Sequence, residues 1–171
     1  MSDSLIPQEP RVQSDPNTDT AGLEGAHEIL MIEDSATDAE LALRAFKRSE
    51  FATPIRIASS GEQGLDYLFG AGADPQHGSN RAELILLDIN LPGMSGVEFL
   101  RHIKGDERTR DIPVIVLSLS DRDRDVLRCI ELGADAYLVK PLNFENFIRV
   151  TTSLKLRMVA SPSSRPKKPS Q

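Results

Sequence analysis

The sequence predicts an α/β fold in which five parallel strands alternate with five helices. Short aliphatic runs closed by turn residues recur along the chain, and such runs are typical of strands buried on both faces. Between them, apolar residues recur every three or four positions, which is the spacing of a helix with one buried face. This alternation implies right-handed crossovers and helices on both sides of the sheet.

Composition and charge exclude several classes of protein. With 39% hydrophobic residues, the 171-residue chain can form one domain with a core. No apolar run approaches the ~20 residues that span a bilayer, and residues 1–7 lack the features of a secretory signal, so we expect no membrane partner. The single cysteine, Cys129, leaves no internal disulfide and favours a reducing, cytoplasmic location. The formal net charge of -6 argues against nucleic acid as a partner.

The two ends of the chain differ in composition from its middle. Residues 1–26 are rich in Ser, Asp, Pro, Asn and Thr, and residues 160–171 are rich in Ser, Pro and Lys. Neither segment can bury enough apolar surface to offset the entropy of ordering. We therefore predict a disordered N-terminal tail, a folded domain over residues 27–159, and a disordered basic C-terminal tail.

The first strand–helix unit spans residues 28–48. Ile29 to Ile32 form an apolar strand that ends on acidic residues, and Ser35 and Asp38 form a cap-like pair that opens a helix. Four residues form the predicted apolar face of this helix: Ala39, Ala42, Leu43 and Phe46.

The second unit has a weaker strand. Residues 54–58 alternate, because Arg56 interrupts two isoleucines, and this pattern suits an edge strand. A helix is predicted over residues 60–69, with Leu65 and Leu68 facing inward. The following loop, residues 70–81, is longer than the ~2–6 residues usual for such a connection, which leaves a functional loop and a tolerated insertion as alternatives.

The third unit organises the rest of the chain. Four aliphatic residues, 84–87, end on Asp88, and Pro92 and Gly93 form a turn directly afterwards. In an open α/β sheet, the carboxyl end of a strand faces the ligand crevice. Residues 95–104 are predicted to form the next helix, with three residues on its buried side: Val97, Leu100 and Ile103.

The last two units repeat the pattern. Strands are predicted over residues 113–118 and 136–139. The helix between them is capped by residues 120–123 and carries Val126, Leu127 and Ile130. The final helix is predicted over residues 143–159, with a stripe of five residues: Phe144, Phe147, Ile148, Thr151 and Leu154.

The edge character of the second strand predicts the flavodoxin-like, doubly wound order 2-1-3-4-5. In that order the carboxyl ends of the strands meet at one edge of the sheet. Five polar residues are predicted to gather there: Glu33, Asp34, Asp88, Ser118 and Lys140.

Such an edge has a clear chemical use. Three neighbouring carboxylates repel one another unless a cation is present, and Mg²⁺ prefers oxygen ligands of this kind. The backbone carbonyl of Asn90 lies where it could complete the set. Asp88 can act as a nucleophile on phosphorus and form an acyl phosphate, while Lys140 pairs with a phosphoryl oxygen and Ser118 donates a hydrogen bond to another. The change in charge on phosphorylation could then reposition Tyr137 and a surface patch.

Each of these residues has an ordinary interpretation by itself. Lys140 could be a surface lysine, Ser118 a strand-end hydroxyl, and the pair Glu33 and Asp34 a helix N-terminal charge pair. All five, however, fall at the carboxyl ends of predicted strands. The same acids argue against a flavin phosphate, which they would repel, and no glycine-rich phosphate loop follows any strand.

With these residues in place, the sequence resembles the response-regulator receiver domain of two-component signalling. The resemblance runs from about residue 28 to residue 159. Four stretches carry it: Glu33-Asp34-Ser35, residues 86–96 around Asp88, residues 113–118, and Tyr137-Leu138-Val139-Lys140-Pro141.

The resemblance implies a role for each site residue. Asp88 would accept phosphate from a sensor histidine kinase, or exchange it with a histidine phosphotransfer protein. Mg²⁺ would bind Asp34 and Asp88 directly, Glu33 through water, and the Asn90 carbonyl. Ser118 and Tyr137 would form the switch pair, Lys140 would contact the phosphate, and Lys140-Pro141 would be a cis peptide.

Two features set this chain apart within that family. Leu119 follows Ser118 where the family usually has a small residue, and its bulk is expected to narrow access to Asp88. The long 70–81 loop is similar to that of small receivers paired with bacterial phytochromes. We expect a stand-alone receiver that is not an enzyme and that binds a downstream protein target, with a homodimer as a further possibility.

Two other classes of function remain as alternatives. A haloacid-dehalogenase-type phosphohydrolase also uses a strand-end Asp and Mg²⁺, but it needs a second Asp two positions later, where this chain has Asn90. A phosphate-independent receiver-like binding module would need neither Asp88 nor Lys140. The presence of both residues argues against it.

Overall fold

The computed structural model describes residues 28–70 and 82–156. The predicted tails, most of the predicted 70–81 loop, and residues 157–159 lie outside this range. Five strands alternate with five helices, with these bounds: β1 Glu28–Ile32, α1 Ala36–Arg48, β2 Ile55–Ala58, α2 Gly61–Phe69, β3 Ala82–Asp88, α3 Gly96–Gly105, β4 Val114–Ser118, α4 Arg124–Glu131, β5 Ala136–Val139 and α5 Phe144–Ser153.

The strands form one parallel sheet in the order β2-β1-β3-β4-β5, which confirms the predicted flavodoxin-like topology. β1, β3 and β4 are almost completely buried, whereas β2 has a half-exposed pattern. The edge position that Arg56 predicted for β2 is therefore correct.

Side chains that alternate along the central strands build two separate cores. Ile85 and Leu87 of β3 pack with residues of α2, α3 and α4 on one face. Leu84 and Leu86 of the same strand pack with residues of α1 and α5 on the other face. Because successive strand residues point to opposite faces, one short aliphatic run serves both cores.

An aromatic cluster closes the core beneath α1 and α5. Phe46 lies edge-on to Phe147, with ring centroids 4.9 Å apart, and to Phe144 at 5.8 Å. Phe51, just after α1, completes the cluster at 5.2 Å from Phe46. Edge-to-face pairs of this kind are favourable beyond their buried area, so the cluster fixes α1 against α5.

The prediction that Leu43 lies on the buried face of α1 is wrong, and two apolar residues of α4 are exposed as well. Leu43 of α1 is 38% exposed, and Leu127 and Ile130 of α4 are 67% and 42% exposed. In α4 the buried residues are Val126 and Cys129, three positions apart, and this narrow stripe turns the neighbouring apolar residues outward. The apolar face of this short helix is wider than its contact with the sheet.

The last helix is also shorter than predicted. α5 ends at Ser153, and Lys155 has a positive φ of 57°, a left-handed conformation that interrupts the helix before residue 159. Within the part of the chain that the structure describes, none of the helices has the length and apolar character needed to cross a membrane.

Candidate functional site

The strand register brings the acidic residues together at the carboxyl edge of the sheet. Ile32 of β1 lies opposite Leu87 of β3, so Glu33, the next residue, follows β1 beside Asp88. On the other side, Asp88 lies opposite Leu117 of β4. This placement follows from the parallel pairing of buried aliphatic runs.

The turn after β3 holds Asp88 firmly. Gly93 has a positive φ of 72°, and Gly96 opens α3 directly against the strand. A Cβ atom at Gly96 would lie 2.4 Å from the carbonyl oxygen of Asp88, so glycine is required for this close approach. Ser95 then caps α3 in a reciprocal capping box with Glu98.

Lys140 occupies the centre of the acidic group. It follows β5, and its backbone N–H donates to the carbonyl oxygen of Ser118 at 2.8 Å. Its Nζ lies 2.6 Å from Glu33 Oε2, 2.8 Å from Asp88 Oδ2 and 3.1 Å from Asp38 Oδ2. One ammonium group thus contacts three carboxylates.

These contacts lie mostly out of water. The side chain of Lys140 is 10% exposed, that of Asp88 4% and that of Glu33 0%. Burial raises the pKa of Glu33 to about 7, even though Lys140 and the Ser35 backbone N–H favour its charged form. Burial also acts to lower the pKa of Lys140, but its contacts with Asp88 and Glu33 outweigh burial and raise that pKa overall.

Both oxygens of Asp88 have partners. The backbone N–H of Asn90 donates to Oδ1 at 2.9 Å, and Lys140 Nζ donates to Oδ2 at 2.8 Å. Asn90 is therefore close to the site. Its predicted use as a backbone-carbonyl ligand stays a prediction.

The carboxylates fit a hard divalent cation. One oxygen from each of Glu33, Asp34 and Asp88 lies within 4.8 Å of the others. Glu33 Oε2 is buried, and the Lys140 ammonium approaches it to 2.6 Å as an ion pair. An all-oxygen donor set with surplus negative charge suits Mg²⁺. Asp34 is exposed, which leaves the site open to solvent.

The predicted switch residues occupy different environments. Ser118 is buried, and its hydroxyl donates to the carbonyl oxygen of Ser120 at 2.8 Å, in the loop after β4. Tyr137, on β5, is 41% exposed. Leu119 is 70% exposed and faces solvent. Five exposed apolar residues lie around β5 and α4, and we name them the β5–α4 patch: Leu119, Leu127, Ile130, Tyr137 and Val139.

Asp38 is the site residue that sequence reasoning missed. The sequence indicates only a cap partner of Ser35, and the backbone N–H of Asp38 does donate to Ser35 Oγ at 3.2 Å. Its carboxylate, however, contacts Lys140. The available signal was its position four residues after Asp34, in the first turn of a helix that begins at the functional edge.

A parallel sheet in this order, with acids and a lysine at its carboxyl edge, has the architecture of a signalling receiver domain. The chain belongs to the response regulator receiver domain family, whose profile matches residues 29–152. This membership confirms the resemblance drawn from the sequence.

Curated relatives agree with this assignment. The probable methanogenesis regulatory protein FilR2 of Methanothrix harundinacea is 39% identical over 127 residues, which cover 74% of this chain and 80% of FilR2. The phosphate regulon transcriptional regulatory protein PhoB of Escherichia coli is 36% identical over 118 residues. Those residues cover 69% of this chain but only 47% of PhoB, so the match spans about half of that longer protein.

Solved structures point to the same subclass as the sequence. The bacteriophytochrome response regulator AtBRR is 33% identical, with a TM-score of 0.70 over 80% of this chain and 98% of that one. The Mn²⁺-bound form of response regulator Rcp1 is 34% identical, with a TM-score of 0.60 over 80% of this chain and 99% of that one. Similarity to phytochrome-associated regulators, predicted from the sequence, is therefore confirmed.

Proposed function

We propose that Asp88 accepts a phosphoryl group, with Mg²⁺, from a sensor histidine kinase of the phytochrome type or from a histidine phosphotransfer protein. The observation that carries this proposal is the environment of the Asp88 carboxylate. It is almost buried, held by the Asn90 N–H and Lys140, and grouped with Glu33 and Asp34 at cation-binding distance.

The reaction is a phosphoryl transfer between two side chains. A carboxylate oxygen of Asp88 attacks the phosphorus of a phosphohistidine, the phosphorus–nitrogen bond breaks, and its electron pair stays on the imidazole, which is released neutral after protonation. Water later attacks the acyl phosphate, restores the carboxylate and releases inorganic phosphate. Mg²⁺ bound by Glu33, Asp34, Asp88 and the Asn90 carbonyl would neutralise charge on the phosphoryl oxygens.

Lys140 and Ser118 respond to the new phosphoryl group. Lys140, already 2.8 Å from Asp88, pairs with one phosphoryl oxygen. The Ser118 hydroxyl releases its hydrogen bond to the Ser120 carbonyl oxygen and donates to a second phosphoryl oxygen. Because Ser120 precedes α4, the change in this hydrogen bond moves the loop that leads into α4, and the side chain of Tyr137 changes position with that loop.

The β5–α4 patch would be the output surface. Its members are apolar and exposed, and one of them, Leu119, directly follows Ser118 in the loop after β4. A downstream protein or a second copy of this chain is a better partner for such a surface than nucleic acid, which would require basic residues. The protein would then act through binding and not as an enzyme.

The first test is phosphorylation by a small donor. The protein is incubated with acetyl phosphate and Mg²⁺ beside Asp88→Asn, and intact mass is measured. We expect one added phosphoryl group on the wild type and none on the variant. Phosphate on both proteins would mean that Asp88 is not the acceptor.

A second arm separates the alternatives. If the wild type stays unmodified, phosphorylation of Leu119→Ala would show that Leu119 blocks small donors, whereas failure of both proteins would favour a phosphate-independent binding module. Sustained hydrolysis of a phosphomonoester such as p-nitrophenyl phosphate would instead favour a phosphohydrolase. We expect no such turnover.

A further inference from the structure

Lys140 has three carboxylate partners, and one of them differs from the other two. Glu33 and Asp88 also belong to the group that could hold a divalent cation, together with Asp34. Asp38 contacts the same ammonium at 3.1 Å but lies outside that group. Its contact with Lys140 therefore does not compete with a cation for the same oxygens.

Asp38 also lies further toward solvent. Its side chain is 41% exposed, against 0% for Glu33 and 4% for Asp88. Its backbone is held at the start of α1, where the Asp38 N–H donates to the cap residue Ser35. Asp38 thus offers Lys140 a fixed, outer acceptor beside two inner ones.

The charges create a conflict at the inner acceptors. An ammonium group and a divalent cation repel each other, and both seek oxygens of Glu33 and Asp88. An ammonium has three donors, so Lys140 can weaken two contacts while it keeps a third. The third contact is the one to Asp38.

We propose that Asp38 is a positioning residue that holds the Lys140 ammonium while a divalent cation occupies Glu33, Asp34 and Asp88. The inference rests on the metal site of the proposed function and adds a role for a residue outside it. Asp38 thereby keeps Lys140 beside Asp88, ready to meet the phosphoryl group. Without Asp38, Lys140 is left with the cation's own ligands.

The ordinary interpretation of Asp38 is an acidic residue in the first turn of α1. That role would affect the stability of the helix, and any effect on cation binding would come from charge alone. Charge alone acts whether or not Lys140 is present. Positioning acts only through Lys140, so the two interpretations differ in a double-mutant cycle.

The experiment is a titration of the full chain with MgCl₂, followed by ¹H–¹⁵N NMR on the amides of the β3–α3 turn. The proteins are the wild type, Asp38→Asn, Lys140→Met and the double variant, with Glu40→Gln as a matched control. Glu40 carries the same charge on the same helix but pairs with Arg44. The same spectra report whether each variant is folded.

We expect Asp38→Asn to weaken Mg²⁺ binding by about three- to fivefold, the upper part of the range for a partly exposed ion pair. In the Lys140→Met background the same change should alter binding less than about twofold. Glu40→Gln should match the wild type. Equal weakening in both backgrounds, or none in either, would overturn the positioning role. A wild type that binds no Mg²⁺ would instead overturn the proposed metal site, and the inference with it.

Discussion

Two largely buried lysines are neutralised in different ways. Lys104 lies near the amino ends of the strands, the amino edge of the sheet, and Lys140 lies at their carboxyl ends, the carboxyl edge. Lys104, at the end of α3, donates to the carbonyl oxygens of Arg110 at 3.1 Å and Ile112 at 2.9 Å. Its one carboxylate neighbour, among the residues the structure describes, is Asp135 at 3.7 Å. Among the same described residues, the ammonium of Lys140 contacts no neutral acceptor and forms ion pairs with three carboxylates instead.

The difference separates a lysine that binds mainly neutral carbonyl oxygens from one that binds only carboxylates. At the amino edge, one positive and one negative charge balance, and the remaining donors bind neutral carbonyls. Asp135 also accepts the backbone N–H of Val114 at 2.8 Å, which ties the start of β4 to the residue before β5. The charges of Lys104 and Asp135 at the amino edge thus balance each other.

The carboxyl edge has surplus negative charge. One ammonium faces three carboxylates, with exposed Asp34 beside them. This arrangement costs stability in the absence of a cation, because like charges are held together in a partly dry site. It also supplies the attraction that a metal ion would use, and the bound ion would in turn attract the phosphoryl oxygens.

The largest expected effect comes from removing each lysine in turn. Lys140→Met leaves buried Glu33 and Asp88 without their cation, so we expect a loss of about 3 kcal/mol in unfolding free energy near neutral pH. Lys104→Met leaves carbonyl oxygens unpaired and should cost roughly 1–3 kcal/mol. Urea unfolding in EDTA and in excess Mg²⁺ measures both.

Mg²⁺ distinguishes the two variants. It should restore much of the stability of Lys140→Met, since it can replace the missing positive charge, and it should leave the loss in Lys104→Met unchanged. Equal responses to Mg²⁺ would break the contrast between the two edges.

A smaller effect concerns pH and Glu33. Its pKa is about 7 in the folded protein against 4.5 as the ordinary value, so between these values the folded state keeps a proton that the unfolded state has lost. The contribution of Glu33 to stability is therefore fully present below pH 4.5 and is lost as pH rises toward 7. We expect a decrease of roughly 1–3 kcal/mol in EDTA, measured by urea unfolding at several pH values.

Glu33→Gln tests the source of that slope. The variant should remove most of the decrease, because its side chain does not titrate. Asp135→Asn, at the amino edge, should keep it. A wild-type stability that instead rises across this interval would contradict the assignment to Glu33.

The sheet and its functional edge could be predicted because they depend on short-range patterns. Apolar runs such as residues 84–87 give the strands, the interruption by Arg56 marks the outer strand, and parallel pairing then forces strand ends such as Asp88 and Lys140 to meet. No side-chain geometry is needed for that step. It requires only strand order and direction.

Features that depend on helix rotation could not be predicted in the same way. The apolar residues of α4 do not reveal that only Val126 and Cys129 of this helix are buried. In α1, the spacing identifies Asp38 as a cap partner of Ser35 and does not show whether its carboxylate faces solvent or Lys140. Which of these it is depends on how α1 lies against β5 and on the path of the chain at Lys140, which are properties of the packed protein.

The smallest expected effect is a change in unfolding free energy that has opposite signs when two different carboxylates are removed. Asp34→Asn removes one of the repelling charges at the carboxyl edge, so we expect the unfolding free energy in EDTA to increase by about 0.5–1 kcal/mol. Asp135→Asn removes the only carboxylate of the described residues that pairs with Lys104, and the same measurement should decrease by a similar amount. In Mg²⁺ the advantage of Asp34→Asn should disappear, because the wild type gains stability from the cation and the variant gains less. If both substitutions destabilise the protein in EDTA, the carboxyl edge has no surplus charge, and its acids are as well balanced as those at the amino edge.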